Sequence, residues 1–135
     1  MSILNYSALE LNKLLQKQIL SVQELITALE AHIMATEPSV KAFVYLDLAK
    51  AKTASVCLDE RIRRGEEISC LAGVPFVLKA NMATINEPTH ACSEILREFK
   101  PGYNAAVAAK LTEADAILLG KTNMDALAMG SSTVT

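Results

Sequence analysis

The sequence lacks an excess of charge of either sign. Its 13 Lys and Arg residues against 15 Asp and Glu residues give a formal net charge of −2. Such a balance creates no field that would hold a polyanion, so direct binding of nucleic acid is not expected from charge. The basic cluster Arg61, Arg63 and Arg64 is better explained as the solvated end of a helix, where positive charge is favourable.

Long apolar runs are also missing. No run approaches the roughly 18 residues that would suggest a membrane helix, and Met1 to Asn5 lack the basic and apolar regions of an export signal. We therefore expect a cytoplasmic protein that makes no membrane contact. With 135 residues, 51% hydrophobic and 21% charged, the chain has the composition and length of one folded domain.

Closely spaced metal ligands are absent. Cys57, Cys70 and Cys92 are odd in number and far apart, which argues against a disulfide framework or a zinc site. We expect them to be buried or half-buried free thiols. His32 and His90 are isolated and are interpreted as surface or packing residues, so no metal site is predicted.

Two capping boxes, Ser7–Glu10 and Ser21–Glu24, open the predicted helices of the N-terminal part. Apolar residues then recur at helical spacing. The first helix is predicted to end near Lys17, and the second to run over about 22–35 because Pro38 ends it.

Alternating elements follow the two helices. Ala42–Leu46 is strand-like, Asp47 can cap a third helix, and Gly65 can close that helix. The face of the third helix is predicted to comprise Leu48, Ala51, Ser55, Leu58 and Ile62. Later elements are a strand at Val74–Lys79, a short helix at Ser93–Arg97, a helix capped by Asn104 with Val107, Leu111 and Ala114, a strand at Ala116–Leu119, a turn at Gly120–Asn123 and a short helix at Met124–Met129.

This order predicts an α/β fold in which N-terminal helices precede part of a mixed sheet covered by helices. We expect a single domain over 1–135, with a helical arm at about 1–40 and an α/β part at about 41–135. The arm would pack as a layer on the sheet.

Leu71–Asn81 places a lysine, Lys79, directly after an apolar strand. The ends of such strands are where sites form in α/β sheets. An amine that leaves an apolar strand can lose part of its hydration, which favours its neutral, basic form. The alternative is a lysine that only reaches out to water.

Gly120–Thr122 reads Gly-Lys-Thr, which suggests a phosphate-binding loop. That motif requires a further glycine five positions earlier, where this chain has Asp115, so the interpretation fails. The small polar tail Gly130–Thr133 suits either close approach to a ligand or an ordinary turn.

Together the two segments resemble the amidase signature family. Leu71–Asn81 is similar to its stretch Leu-Ala-Gly-(Ile/Val)-Pro-x-x-(Ile/Val/Leu)-Lys-Asp-Asn. Ala108–Thr133 is similar to its stretch ending in Gly-Lys-Thr-Asn-Met-x-Glu-Phe-Ala-Met-Gly-Ser-(Ser/Thr)-(Thr/Asn). The run Met-Asp-x-x-Ala-Met-Gly-Ser-Ser-Thr is most similar to the A subunits of glutamyl-tRNA(Gln) amidotransferases. The resemblance implies the N-terminal portion of an amidase-signature domain.

The resemblance also implies site residues. The family uses a serine nucleophile, a second serine and a lysine, and the motif match assigns the lysine to Lys79. Met129, Gly130 and Ser131 match a loop that borders the substrate pocket. Both catalytic serines lie after this loop in the family, so the chain alone is expected to be inactive.

For partners, the resemblance implies the B and C subunits of the amidotransferase and the missing C-terminal portion. Glutamine hydrolysis would supply ammonia for Gln-tRNA(Gln) formation, with tRNA reached only through the complex. No cofactor is expected in this chain, whereas ATP and Mg²⁺ are implied for the partner subunit. The alternatives are a non-enzymatic remnant or partner-binding fragment, and part of a small-carboxamide amidase of the same family.

Four residues depart from the family pattern. Ala80 replaces an aspartate that would organise the turn after the lysine. Asp115 replaces a glycine, which would cost up to about 1 kcal/mol at a left-handed helix end. Ala126 and Leu127 replace Glu-Phe and reduce packing volume.

Overall fold

Within residues 3–131, which the computed structural model describes, helices pack on a three-stranded sheet. Outside the described residues lie Met1, Ser2 and Ser132–Thr135. The last of these ranges contains the ends of the segments Ala108–Thr133 and Gly130–Thr133 considered above. The predicted α/β class with a mixed sheet is confirmed. The elements are α1 Ala8–Gln16, α2 Val22–Val40, β1 Phe43–Leu46, α3 Leu48–Arg63, β2 Pro75–Lys79, α4 Ala106–Glu113 and β3 Ile117–Thr122, with 3-10 turns at Ile3–Asn5, Glu94–Leu96 and Ala126–Ala128.

The sheet has β3 at its centre, in the order β1-β3-β2. β1 pairs with β3 antiparallel and β2 pairs with β3 parallel. Lys121 therefore has Tyr45 on one side and Leu78 on the other. The predicted turn at Gly120–Asn123 is wrong, because β3 continues to Thr122 between two strands that supply backbone partners.

Gly120 lies in this central strand because β1 comes very close. A Cβ atom at position 120 would lie 2.1 Å from the carbonyl oxygen of Tyr45 and 3.0 Å from the Cα of Leu46. The glycine that suggested a turn therefore marks a close approach of two backbones.

Both capping boxes are confirmed. The Ser7 N–H donates to Glu10 Oε2 at 2.8 Å and the Ser21 N–H donates to Glu24 Oε2 at 2.9 Å. These bonds and the reciprocal bonds from the helix backbone satisfy donors that a helix start leaves free.

The predicted end of the second helix is wrong, because α2 continues through Pro38 to Val40. The φ angle of proline is compatible with a helix, so the last turn forms although Pro38 supplies no N–H donor to it. The helix ends instead at Lys41, which has a left-handed φ of 52° and donates its N–H to the Glu37 carbonyl at 2.8 Å.

The main core joins α1, α2 and α3 to the sheet, and its buried members include Leu15, Ile26, Leu58 and Leu119. Asp59 fixes the start of α2 onto α3. Its carboxylate, 7% exposed as a residue, accepts the N–H groups of Val22 at 2.8 Å and Gln23 at 3.0 Å. A carboxylate at a helix N-terminus is favoured by the dipole and by these free donors.

The third helix follows its prediction. Asp47 accepts the Lys50 N–H at 2.9 Å, Gly65 has a φ of +72°, and the predicted face is buried. Cys57 and Cys70 are nevertheless exposed, so the expectation of buried or half-buried thiols is correct only for Cys92. Cys57 faces solvent because it lies outside the buried stripe of α3.

Two predicted details of the helix before β3 are wrong. Asn104 does not cap α4, since its Oδ1 accepts the N–H of Ile85 at 2.8 Å and Ala105 stands at the cap. Ala108 is the buried residue of α4, whereas Val107 is 43% exposed. Asn104 therefore anchors the preceding loop.

The predicted helix at Met124–Met129 is only the 3-10 turn Ala126–Ala128.

Asp115 follows α4 in the left-handed conformation, with a φ of 59°. Its two carboxylate oxygens accept from Arg61 at 2.6 and 3.0 Å, a bidentate pair. The aspartate in place of glycine is thus partly compensated by an ion pair that glycine could not make. The pair also raises the pKa of Arg61.

Across the described range 3–131, no helix is long and apolar enough to cross a membrane.

Candidate active site

Lys79 ends β2 at the edge of the sheet where the parallel strands β2 and β3 both finish. It pairs in register with Thr122, and its side chain is exposed. A tight turn follows, in which the Met82 N–H donates to the Lys79 carbonyl at 2.9 Å. The backbone that carries the exposed amine of Lys79 is therefore fixed by the strand before it and by the turn after it.

The segment with the other predicted site residues is tied to the same edge. The Ala91 N–H donates to the Ala80 carbonyl at 3.1 Å, and the Leu127 N–H donates to the Ala91 carbonyl at 3.0 Å. This chain of bonds connects the backbone beyond Lys79 with the loop 125–131. The roles of Lys79 and of the residues Met129, Gly130 and Ser131 stay predictions.

The three predicted substrate-binding residues are exposed. Met129 is 86% exposed, and Gly130 and Ser131 are also open to solvent. A Cβ at position 130 would lie 2.5 Å from Cγ of Asp125, so the loop folds closely over that side chain. Glycine is required there by the close contact.

Four of the eight non-glycine residues with a left-handed φ in the described part of the chain lie at this edge. Ala91, Cys92, Leu127 and Ala128 have left-handed φ values of 47°, 50°, 53° and 61°. Each such residue costs on the order of 1–3 kcal/mol in sterically unfavourable settings, and strain of this kind clusters at functional sites. The strain supports a functional interpretation of this edge.

A cavity of about 360 Å³ opens beside the end of β3. The Cys92 thiol donates to Asn123 Oδ1 at 3.3 Å, and the Cys92 N–H donates to His90 Nδ1 at 3.0 Å. The lining of the cavity is mostly polar and comprises Val44, His90, Cys92, Ser93, Glu94, Arg97 and Asn123. Small polar molecules therefore have access to this end of the sheet.

Lys121 is the desolvated lysine of the structure. It is 0% exposed as a residue, and its Nζ donates to the Met82 carbonyl at 2.8 Å and to Thr89 Oγ1 at 2.6 Å. Burial lowers the pKa of Lys121 to about 8, and the nearby carboxylate of Glu87 opposes this shift.

Glu87 lies near this lysine and is 5% exposed. One carboxylate oxygen pairs with Lys50, and the other has no hydrogen-bond partner among residues 3–131. Burial, Asp47 and Glu87 raise the pKa of Tyr45 to about 12. A buried polar cluster thus underlies the turn that follows Lys79.

Sequence reasoning missed Lys121, Glu87 and Thr89. The available signal was the lysine at the end of an apolar run, which drew attention to Lys79 and applies equally to Lys121. Once Gly-Lys-Thr is rejected as a phosphate-binding loop, the sequence predicts no role for Lys121. Only the position of the segment 82–89 over β3 distinguishes the two lysines.

The unfolding free energy is expected to rise between about pH 8 and pH 10. The pKa of Lys121 is lowered from 10.5 to about 8, so in this range the unfolded chain holds the proton that the folded chain has released. The slope is at most about 1.4 kcal/mol per pH unit. Urea unfolding at several pH values measures it.

The variant Lys121→Met is the control for this effect and should lack the rise. Above pH 10 the trend should reverse, because the pKa of Tyr45 is raised from 10.0 to about 12 and the folded state then holds the extra proton. An identical rise in the variant would contradict the assignment to Lys121.

A metal centre has no candidate in the described part of the chain, because no three His, Cys, Asp or Glu side chains lie close enough to hold an ion there.

Comparison with known proteins gives consistent matches. The chain is 41% identical over 133 residues to the A subunit of the glutamyl-tRNA(Gln) amidotransferase of Natranaerobius thermophilus, covering 98% of this chain and 27% of that protein. It is 47% identical over 112 residues to the corresponding protein of Microcystis aeruginosa, covering 82% and 23%. The chain thus spans about a quarter of the length of these relatives.

A bacterial aryl acylamidase of the amidase signature family has a similar structure. The TM-score is 0.83 at 28% sequence identity, over 88% of this chain and 25% of that one. The model of the Amidase family matches residues 24–135. On the fold, the two motifs and these matches, the chain belongs to the Amidase family.

Proposed function

We propose that the chain acts as the N-terminal part of the A subunit of a glutamyl-tRNA(Gln) amidotransferase, with Lys79 as the lysine of its catalytic triad. The observation that carries this proposal is the position of Lys79. Its exposed amine stands on a fixed strand end, and the loop 125–131 is hydrogen-bonded to the same edge. The amidotransferase subunits to which the chain is similar support the choice of subfamily.

In this proposal the serines come from the portion that this chain does not contain. The amine of Lys79 accepts a proton from the nucleophilic serine through the bridging serine. The oxygen of the nucleophilic serine then attacks the amide carbonyl of glutamine, and the C–N bond of the amide breaks. The proton passes to the leaving nitrogen, so ammonia departs and an acyl-enzyme remains for water to hydrolyse. Met129, Gly130 and Ser131 border the substrate.

The partners follow from the same proposal. The B and C subunits complete the complex, and tRNA is reached only through them. ATP and Mg²⁺ belong to the partner subunit, which activates Glu-tRNA(Gln) for reaction with ammonia. The near-neutral net charge of −2 agrees with a segment that does not hold tRNA itself.

One face and two edges of the sheet suit a missing portion of the same domain. Among the described residues, β1 and β2 each pair on one side only. Val44 is 36% exposed and Val77 is 40% exposed, although both lie in strands. Open edges and exposed apolar strand residues are normally covered in a stable protein. We propose that the C-terminal portion covers them.

Reconstitution tests the proposal. The chain is co-expressed with the C-terminal portion of the Natranaerobius thermophilus protein, starting where the similarity to this chain ends. Ammonia release from glutamine is measured with a coupled glutamate dehydrogenase assay. We expect release only when both portions are present, because neither alone has the full triad. A soluble, purified pair that releases no ammonia would contradict the proposal.

A non-enzymatic fragment that only binds a partner is the second candidate. The replacement of the family's aspartate favours it, because Ala80 is 1% exposed, packs with Ala91 and Met124, and supplies no side-chain acceptor oxygens. Capture of the B subunit by the chain without ammonia release in the reconstituted pair would favour this candidate. Release from simple carboxamides, independent of tRNA, would instead indicate a small-carboxamide amidase.

A further inference from the structure

Lys121 joins two points of the segment that follows Lys79. Its Nζ donates to the Met82 carbonyl at 2.8 Å and to Thr89 Oγ1 at 2.6 Å. We infer that Lys121 is a positioning residue that fixes the turn on which Lys79 stands. This inference rests on the proposed function of Lys79.

The Met82 peptide is the link between the two lysines. The Met82 N–H donates to the Lys79 carbonyl at 2.9 Å, and the Met82 carbonyl accepts from Lys121. The turn is therefore held from its start by the strand and from its end by a buried ammonium. Without that donor the Met82 carbonyl would be left to find another partner, and the turn would gain freedom.

Direct contact between the two lysines is excluded by the sheet. Lys121 pairs in register with Leu78, which is 4% exposed, whereas the next residue, Lys79, is exposed. Successive side chains of a strand point to opposite faces. Lys121 therefore reaches Lys79 through the backbone of the turn and not through a side-chain contact.

A lysine suits this role because it has three donors and no acceptor. Two donors are used on Met82 and Thr89, and the nearby carboxylate of Glu87 favours the charged form. The second contact, with Thr89, carries the constraint to the far end of the segment 82–89. These contacts of Lys121 therefore hold the segment 82–89 over β3.

The first experiment measures the turn in the full 135-residue chain by amide hydrogen exchange. Lys121→Met removes the donors and keeps an unbranched side chain of similar length. The exchange rate of the Met82 amide should rise at least about tenfold, as expected for loss of one charged hydrogen bond. Amides of α3 report global stability, so the local effect on the turn is the rise at Met82 beyond any change in the α3 rates. Lys110→Met, on the exposed side of α4, makes the same chemical change as a control.

The second experiment uses the reconstituted pair. Lys121→Met should lower kcat for glutamine hydrolysis at least about tenfold and leave KM within about twofold, because the amine is misplaced while the substrate loop is intact. Should Lys121→Met unfold, Thr89→Val removes the second anchor and keeps the shape of the side chain. Thr89→Val should lower kcat, and Thr89→Ser should restore it.

The outcomes separate this inference from the proposed function. Unchanged Met82 exchange and unchanged kcat in Lys121→Met would overturn the inference. So would equal kcat values in Thr89→Val and Thr89→Ser. If Lys79→Met keeps full activity, the proposed function fails, while the exchange rates still decide whether Lys121 holds the turn.

Discussion

Replacing Lys79 by methionine should lower glutamine hydrolysis by the reconstituted pair at least about 10³-fold, the scale of loss seen when one member of a catalytic triad is removed. A thioether cannot accept the proton that the nucleophilic serine must release. Steady-state ammonia release gives the rate, and a large fall in kcat with little change in KM is expected.

Stability should not change with this substitution. The Lys79 side chain is exposed, and substitutions at such positions usually alter the unfolding free energy by less than about 0.5 kcal/mol. Lys100→Met changes another exposed lysine and should keep the full rate. A Lys79→Met enzyme with a rate near that of Lys100→Met would remove Lys79 from the mechanism.

The substitution Gly120→Ala should destabilise the fold by more than about 3 kcal/mol or prevent folding. The new methyl group would lie 2.1 Å from the Tyr45 carbonyl oxygen and 3.0 Å from Leu46 Cα. Both are backbone atoms, so no side-chain rotation relieves the overlap, and β1 would have to separate from β3. Urea unfolding followed by circular dichroism measures the loss.

Gly102→Ala is the matched control for this prediction. A Cβ at position 102 meets nothing within 4 Å, so the same change should leave the unfolding midpoint almost unaltered. If Gly120→Ala and Gly102→Ala had the same midpoint, the close approach of β1 and β3 at this point would be wrong.

Local chemistry made the N-terminal helices predictable. The boxes beginning at Ser7 and Ser21 each need only four residues, and both form as expected. The buried face of α3 also follows from spacing alone. These features depend on interactions within a few residues, which a single sequence displays directly.

Features that depend on distant partners could not be predicted in the same way. Gly120 looks like a turn residue until β1 is placed beside it. Asn104 looks like a cap until its oxygen is found on the N–H of Ile85. Lys79 and Lys121 share one local pattern, and only the segment folded over β3 buries the second. In each case a contact from far along the chain decides the outcome.

The departures from the family pattern acquire a physical setting in the structure. Ala80 is buried, and its backbone bonds to Thr122 and Ala91 hold the position where the aspartate would stand. Asp115 pairs with Arg61 from α3. Nothing in the structure explains the exchange of Glu-Phe for Ala126 and Leu127.

The strand order has a consequence for how the chain folds during synthesis. β3 lies between β1 and β2 in the sheet, yet it is the last of the three to leave the ribosome. Until then β1 and β2 have no strand to pair with, so only the early helices can associate. Contacts between distant segments form slowly because closing a long loop costs entropy. We therefore expect the nascent chain to hold two unpaired strands until residue 122 has emerged, which gives chaperones a defined interval in which to bind it.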